Sequence, residues 1–241
     1  MPQQLDAFVE VARERQVPAR GAPPHHRLAR PQREGLRIDG DGGQIDLAPL
    51  KADIRLEAAL TTIVDLEDSV AAVDAADKLA AYRNWLGVIR GDLVARFDKG
   101  GDRQIRQLDG DLSSTDPDGH PGALRGRSLL FVRNVGLLMT SDAVLLPDGS
   151  EVFEGLLDAV VTAAIGALDV RGHTRWRNSA AGAIYIVKPK LHGPAECAFV
   201  NDVMDGVEDL LHLPRHTIRL GLMDEERRTS ANLAACIHAL R

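Results

Sequence analysis

The chain has 241 residues, 44% of them hydrophobic and 27% charged, with a formal net charge of −6. That length and balance are enough for one large or two small apolar cores and exclude general disorder. The acidic balance, with no Lys/Arg cluster interleaved with aromatics, lacks the electrostatic footprint of a nucleic-acid binder, so no nucleic-acid partner is expected.

Residues 1–34 are rich in Arg, Pro and Gln, with Pro23-Pro24-His25-His26 in the middle. After a short LDAFVEVA stretch they keep no period, which reads as a poorly ordered leader. From Gly35 onward short apolar runs alternate with helical periods. Four runs read as buried strands: ALTTIVDL (59–66), SLLFVRN (128–134), AIYIVKPK (183–190) and TIRLGLMDE (217–225). Each is continuously apolar rather than alternating, as parallel strands covered on both faces require.

The helices lie between them. Leu79, Tyr82, Leu86 and Ile89 share a face, with Asp74 as N-cap and Gly91 as stop. Phe153, Leu156, Leu157, Val160, Val161, Ala164, Ile165 and Leu168 follow i, i+3, i+4 steps, and so do Phe199, Val203, Val207 and Leu210. Residues 98–127 break the pattern with Gly, Asp, Ser and Pro and read as an insertion or long loop with one short strand near 103–108. Strands alternating with crossover helices imply a parallel α/β architecture, an open sheet or a barrel segment. Leu233, Cys236, Ile237 and Leu240 lie on a last helix with no finishing Gly or Pro before Arg241, and four strand-helix units do not close an eight-unit barrel, so truncation is expected.

No apolar run reaches the ~18 residues of a spanning helix, and the N-terminus has no signal-type apolar core, so neither membrane insertion nor secretion is expected. Cys197 and Cys236 sit in helical periods without CxxC or Cys/His spacing. They read as buried reduced thiols, which fits a cytoplasmic protein.

Parallel α/β folds place their sites at the carboxyl ends of the strands. All four predicted ends are ionic: Asp65, Glu67 and Asp68; Arg133; Lys188 and Lys190; and Asp224, Glu225 and Glu226 followed by Arg227 and Arg228. A single such end is more often a solvated strand tip or a structural ion pair. Four at one rim suit a hard divalent cation with an anionic oxygen substrate, and carboxylates without clustered His or Cys favour magnesium over zinc.

The blocks TTIVDLEDSVAAVDAADK, AAYRNWLG, GRSLLFVRNVG, GSEVFEGLLDA, AIYIVKPKLHGPAE and LGLMDEERRTSANL resemble successive signature blocks of malate synthase G, in that family's order, from about Gly35 to Arg241. The resemblance implies part of an elaborated TIM barrel of about four strand-helix units. It also implies an enzyme that condenses acetyl-CoA with glyoxylate and water to give malate and CoA in the glyoxylate cycle, with Mg²⁺ as cofactor.

By that resemblance Glu225 is a magnesium ligand, and Arg133 is the catalytic group that stabilises the alkoxide growing on the aldehyde oxygen of glyoxylate. The stretch holding Leu222, Asp224 and Glu225 meets the glyoxylate carboxylate, and Asp65, Glu67 and Asp68 surround the metal waters or orient Arg133. Ser69, Lys99 and Arg106 fall where the family meets acetyl-CoA. The family's second metal ligand and catalytic base would lie beyond Arg241, so a further C-terminal segment is an expected partner. Two departures stand out: the family's GHLM is here Gly136-Leu137-Leu138-Met139, and Ala180-Ala181 replace an Arg-Thr pair. They leave open an inactive remnant or acetyl-CoA-binding module of the same fold; a citramalyl- or malyl-CoA lyase is the weaker alternative, against which MDEERRT and the long insertion speak.

Overall fold

The computed structural model describes residues 61–115 and 118–240. The expected leader (1–34), residues 35–60 and the first two positions of the first predicted strand lie outside the described residues.

In chain order the elements are β1 (Thr61–Asp65), α1 (Ala75–Arg90), β2 (Val94–Lys99), β3 (Asp102–Gln107), β4 (Leu112–Thr115), β5 (Pro121–Leu124), β6 (Leu129–Arg133), β7 (Thr140–Leu145) and β8 (Glu151–Phe153). They continue with α2 (Glu154–Val170), β9 (Ile184–Lys188), α3 (Pro194–Leu210), β10 (Ile218–Leu222), α4 (Arg227–Ser230) and α5 (Leu233–Ala239). All four predicted buried strands exist, a few residues shorter than read.

They form one all-parallel sheet in the order β1-β6-β9-β10. The register sets Asp65 beside Arg133, Arg133 beside Val187, and Val187 beside Gly221. The carboxyl ends of the four strands therefore finish in one row. Parallel strands connected by crossovers must all point the same way, so residues from four distant stretches of chain arrive at one rim.

Local chemistry fixes the helices. Asp74 caps α1, its Oδ1 accepting from the Asp77 N–H at 2.9 Å, and Gly91 ends it in the left-handed region (φ 78°), where a side chain would also run into Trp176. Pro194 opens α3, where its missing N–H costs nothing. The core between sheet and helices includes Val64, Trp85, Val132, Ala159, Ala163, Ile186, Val200 and Met204.

The buried helix faces overlap only in part with those read in the sequence: Tyr82, Ile89, Ile165 and Val207 are buried as expected, and others are not. α1 buries Lys78, Ala81, Tyr82, Trp85, Val88 and Ile89, leaving Leu79 46% exposed. α3 buries Cys197, Val200, Met204, Val207 and Glu208, and leaves Phe199 and Leu210 out. α2 turns small and polar residues inward, among them Gly155, Asp158, Ala159, Thr162, Ala163 and Gly166, while its larger aliphatic stripe is only partly covered. Close approach explains this: a Cβ on Gly166 would lie 2.7 Å from Ile184 Cγ2, so only small residues let α2 sit this near β9.

The stretch 98–127 is also more ordered than a loop. β2 and β3 form one antiparallel hairpin and β4 and β5 another, and a third, β7–β8, precedes α2. The strand expected near 103–108 is β3; the other five were missed because their short polar alternation resembles loop composition. Cys197 and Cys236 are both buried free thiols, as expected. No helix of the described residues is long and apolar enough to cross a membrane.

Candidate functional site

Arg133, the last residue of β6, is the hub of the rim. Its Nε donates to Asp65 Oδ1 at 2.8 Å and its Nη2 to Asp65 Oδ2, a two-pronged pairing across adjacent strand ends. Asp68 Oδ2 lies 3.4 Å from Nη2 and Glu67 Oε2 3.9 Å from Nη1. The other contact of Nη1 is Met223 Sδ at 3.7 Å, just beyond the end of β10. One edge of the fork is thus locked onto Asp65, and Nη1 faces the β10 end with no short bond.

Asp65 is organised from several directions. Besides Arg133, its carboxylate accepts the backbone N–H of Glu67 at 2.8 Å and of Ser69 at 3.0 Å. Burial alone would raise its pKa, but the Arg133 and amide hydrogen bonds outweigh it and hold the carboxyl down at about 2, while the same pairing raises Arg133 above its ordinary value.

A group whose folded pKa lies below its ordinary 3.8 contributes stability above that value and loses it as pH falls toward the folded value. Acid is therefore expected to weaken the fold between about pH 5 and 2, by about 1–2 kcal/mol from Asp65 after solvent screening. Urea midpoints measured across that range would check this: Asp65→Asn should flatten the slope, and an unchanged slope in that variant would rule it out.

Lys190 joins the two halves of the rim. Its backbone N–H donates to Glu225 Oε1 at 2.8 Å, and its ammonium meets Glu67 Oε1 at 2.8 Å and Asp68 Oδ1 at 3.1 Å. It does so at φ 52°, a left-handed conformation that a non-glycine residue adopts at a cost. The predicted group Asp65, Glu67, Asp68, Arg133 and Glu225 is thus joined through Arg133 and Lys190. Leu222 pairs with Lys188 in the ladder, and the Met223 N–H donates to the Lys188 carbonyl at 3.4 Å. Asp224 is exposed and accepts from the Ser230 hydroxyl at 2.5 Å.

Lys188 differs from its reading as a rim cation. It is 1% exposed, turned beneath the rim, and donates to the carbonyls of Val135 and Gly136. Ser69 lies beside the rim, whereas Lys99 and Arg106 sit on the separate β2–β3 hairpin, Lys99 opposite Asp102 and Arg106 over the Phe97 ring at 4.9 Å. Leu137 packs partly against the core.

As for a metal, no group of three or more His, Cys, Asp or Glu side chains among the described residues forms a ready cation cage. The donor type nonetheless fits a hard cation. Glu225 is an exposed carboxylate at the rim, and Glu67 Oε2 is buried without a hydrogen-bond partner. One or two carboxylates, with water and substrate oxygens completing the shell, is how magnesium is commonly held.

Residues 129–241 match the family model described as malate synthase, TIM barrel domain. They belong to the malate synthase TIM-barrel family. Malate synthase G of Halalkalibacterium halodurans is 53% identical over 199 residues, 83% of this chain and 27% of that protein. Malate synthase G of Corynebacterium efficiens and of Corynebacterium glutamicum are each 52% identical over 195 residues, 81% of this chain and 26% of theirs. The chain thus spans about a quarter of the length of these malate synthases, and three of its four parallel strands, β6, β9 and β10, fall within the matched barrel domain.

Sequence reading missed two features here. The first is the bridging role of Lys190, named only as a strand-end cation. The second is the buried Lys78–Glu154–Asp158 cluster under the rim, which no periodicity of large apolar residues could point to.

Proposed function

We propose that this chain supplies the glyoxylate-binding rim of a malate synthase site, where acetyl-CoA, glyoxylate and water give malate and CoA, and that residues 35–241 form the barrel-type part of it. The observation that carries the reading is the Arg133 fork, fixed by Asp65 on one edge and open toward the β10 end on the other. An always-charged guanidinium whose Nη1 holds only long contacts, to Met223 Sδ and Glu67 Oε2, suits the aldehyde oxygen of glyoxylate, on which negative charge grows as the new carbon–carbon bond forms. Because Asp65 has already oriented the fork, little reorganisation is needed when that charge develops.

Glu225, with Glu67 nearby through Lys190, is the candidate carboxylate set for Mg²⁺. When bound, that ion would add positive charge beside the glyoxylate oxygens. Leu222, Asp224 and Glu225 form the stretch that would meet the substrate carboxylate. Ser69, with Lys99 and Arg106 of the hairpin, are the proposed acetyl-CoA contacts, cations near a phosphate being the physical rationale. No residue of this chain is assigned removal of the acetyl-CoA methyl proton.

Isothermal titration of the 241-residue chain tests the reading. Mg²⁺ and glyoxylate are expected to bind weakly, and Glu225→Ala to abolish the Mg²⁺ heat. An unchanged titration in that variant would sink the assignment of Glu225.

A further inference from the structure

Three buried charged side chains and a fourth that is mostly covered lie beneath the rim, and the reading above uses none of them. Lys78 of α1 and Asp158 of α2 are 1% and 0% exposed, and Lys188 of β9 is 1% exposed. Glu154 at the start of α2 completes the set. Lys78 Nζ meets Glu154 Oε1 at 2.6 Å and Asp158 Oδ1 at 2.7 Å, and Asp158 Oδ1 also accepts the Tyr82 hydroxyl at 2.6 Å.

The set closes on one short piece of backbone, the segment that directly follows Arg133. Asp158 Oδ2 accepts the Val135 N–H at 2.8 Å. From the other side, Lys188 Nζ donates to the Val135 carbonyl at 2.5 Å and the Gly136 carbonyl at 3.3 Å. Just upstream, the Asn134 N–H donates to the Val187 carbonyl at 3.1 Å, and the Arg133 carbonyl accepts the Leu66 N–H at 3.0 Å. Gly155 closes the last gap: a Cβ there would stand 2.4 Å from the Gly136 carbonyl oxygen and 3.0 Å from Lys188 Nζ.

Burying an ammonium and a carboxylate this deeply is not the economical way to stabilise a fold, since apolar residues of similar volume commonly do as well or better. A registry role accounts for the arrangement. We propose that Lys188 and Asp158 are positioning residues, a buried charge clamp that grips the Val135 peptide from both sides and so fixes the direction of the Arg133 guanidinium at the rim. The inference deepens the glyoxylate-rim reading and rests on it for its functional meaning. Burial pushes the Lys188 ammonium down to about 8, against the attraction of Asp158, Glu67 and Glu154 and with the help of Lys78.

Three variants test this, with the Arg133 Nε–H resonance as a readout that needs no ligand. Lys188→Met keeps the buried stem and removes the charge. It is expected to lower the melting temperature, because the Val135 and Gly136 carbonyls lose a buried donor, to keep unfolding cooperative, to shift or broaden the Arg133 Nε–H signal, and to weaken glyoxylate binding about tenfold, as loss of one hydrogen bond to a charged group would. Gly155→Ala, by pushing on the Gly136 carbonyl, should move the signal and weaken binding in the same direction, with a loss of stability from the clash. Gly166→Ala, which presses the same helix against Ile184 far from the segment, should leave the signal and the affinity alone.

An Arg133 signal unmoved in Lys188→Met, or moved equally in Gly166→Ala, would overturn the clamp. If the signal responds as expected but the wild-type chain binds no glyoxylate, the clamp stands and the substrate reading fails.

Discussion

Replacing Asp158 with alanine is expected to remove about 3–5 kcal/mol of stability, the usual cost of breaking a buried charge pair by deleting one partner. The reason is what the carboxylate holds. It lies at 0% exposure, and its two oxygens accept from Lys78, from the Tyr82 hydroxyl and from the Val135 N–H. Glu154 still faces Lys78 after the substitution, but the Tyr82 hydroxyl and the Val135 N–H are left buried without an acceptor, each with its own desolvation cost.

Against the 5–15 kcal/mol typical of a whole domain, that loss leaves little margin. Asp158→Asn, which keeps an oxygen for one of the donors, should fall between alanine and wild type. Urea midpoints read by circular dichroism would check the order, and a loss under about 1 kcal/mol in the alanine variant would mean that the pair contributes nothing net.

Asp158 also marks where the sequence stopped being informative. The strands were legible because a continuously apolar run such as IYIV in β9 has few alternatives to a covered parallel strand. The ionic rim was legible for the same reason: parallel strands end together, so a charge that closes each apolar run must share a neighbourhood with the others. The family resemblance then supplied roles that no spacing could.

Helix faces were legible only in part. Reading α2 by its largest side chains put Leu156, Leu157 and Val160 on the buried face, whereas they are only partly covered and the fully buried positions are mostly small or polar, Gly155, Asp158, Ala159, Thr162, Ala163 and Gly166 among them. A reading by large apolar residues singles out neither Asp158 of α2 nor Lys78 of α1. In a segment apolar on several sides, periodicity ranks faces by bulk, but burial is decided by how closely the neighbouring element approaches. Lys188 was misread for a related cause. Its position at a strand end was right, but the direction of its side chain depends on carbonyls of the 135–136 segment, which lies more than fifty residues away in sequence.

The second large effect is expected at Arg133, where stability and function should part company. Arg133→Ala leaves Asp65, Glu67 and Asp68 facing one another with Lys190 as the cation still in contact among the described residues, and about 1–2 kcal/mol should be lost from this partly exposed cluster. The Asp65 carboxyl should then rise from about 2 toward or above its ordinary range, so the acid limb of the stability profile moves to higher pH.

Arg133→Lys should recover much of the stability, because an ammonium can still pair with Asp65. It should not recover glyoxylate binding, because a single ammonium cannot hold both Asp65 oxygens and also present a separate donor toward Met223 and the β10 end, as the guanidinium does. In a malate synthase carrying this rim, either substitution is expected to fall mainly on kcat, by about 10²–10³, since the bond to the aldehyde oxygen strengthens as the alkoxide forms. A change confined to KM would mean that Arg133 holds the substrate equally in ground and transition states, and the electrostatic role assigned to its free edge would have to be abandoned.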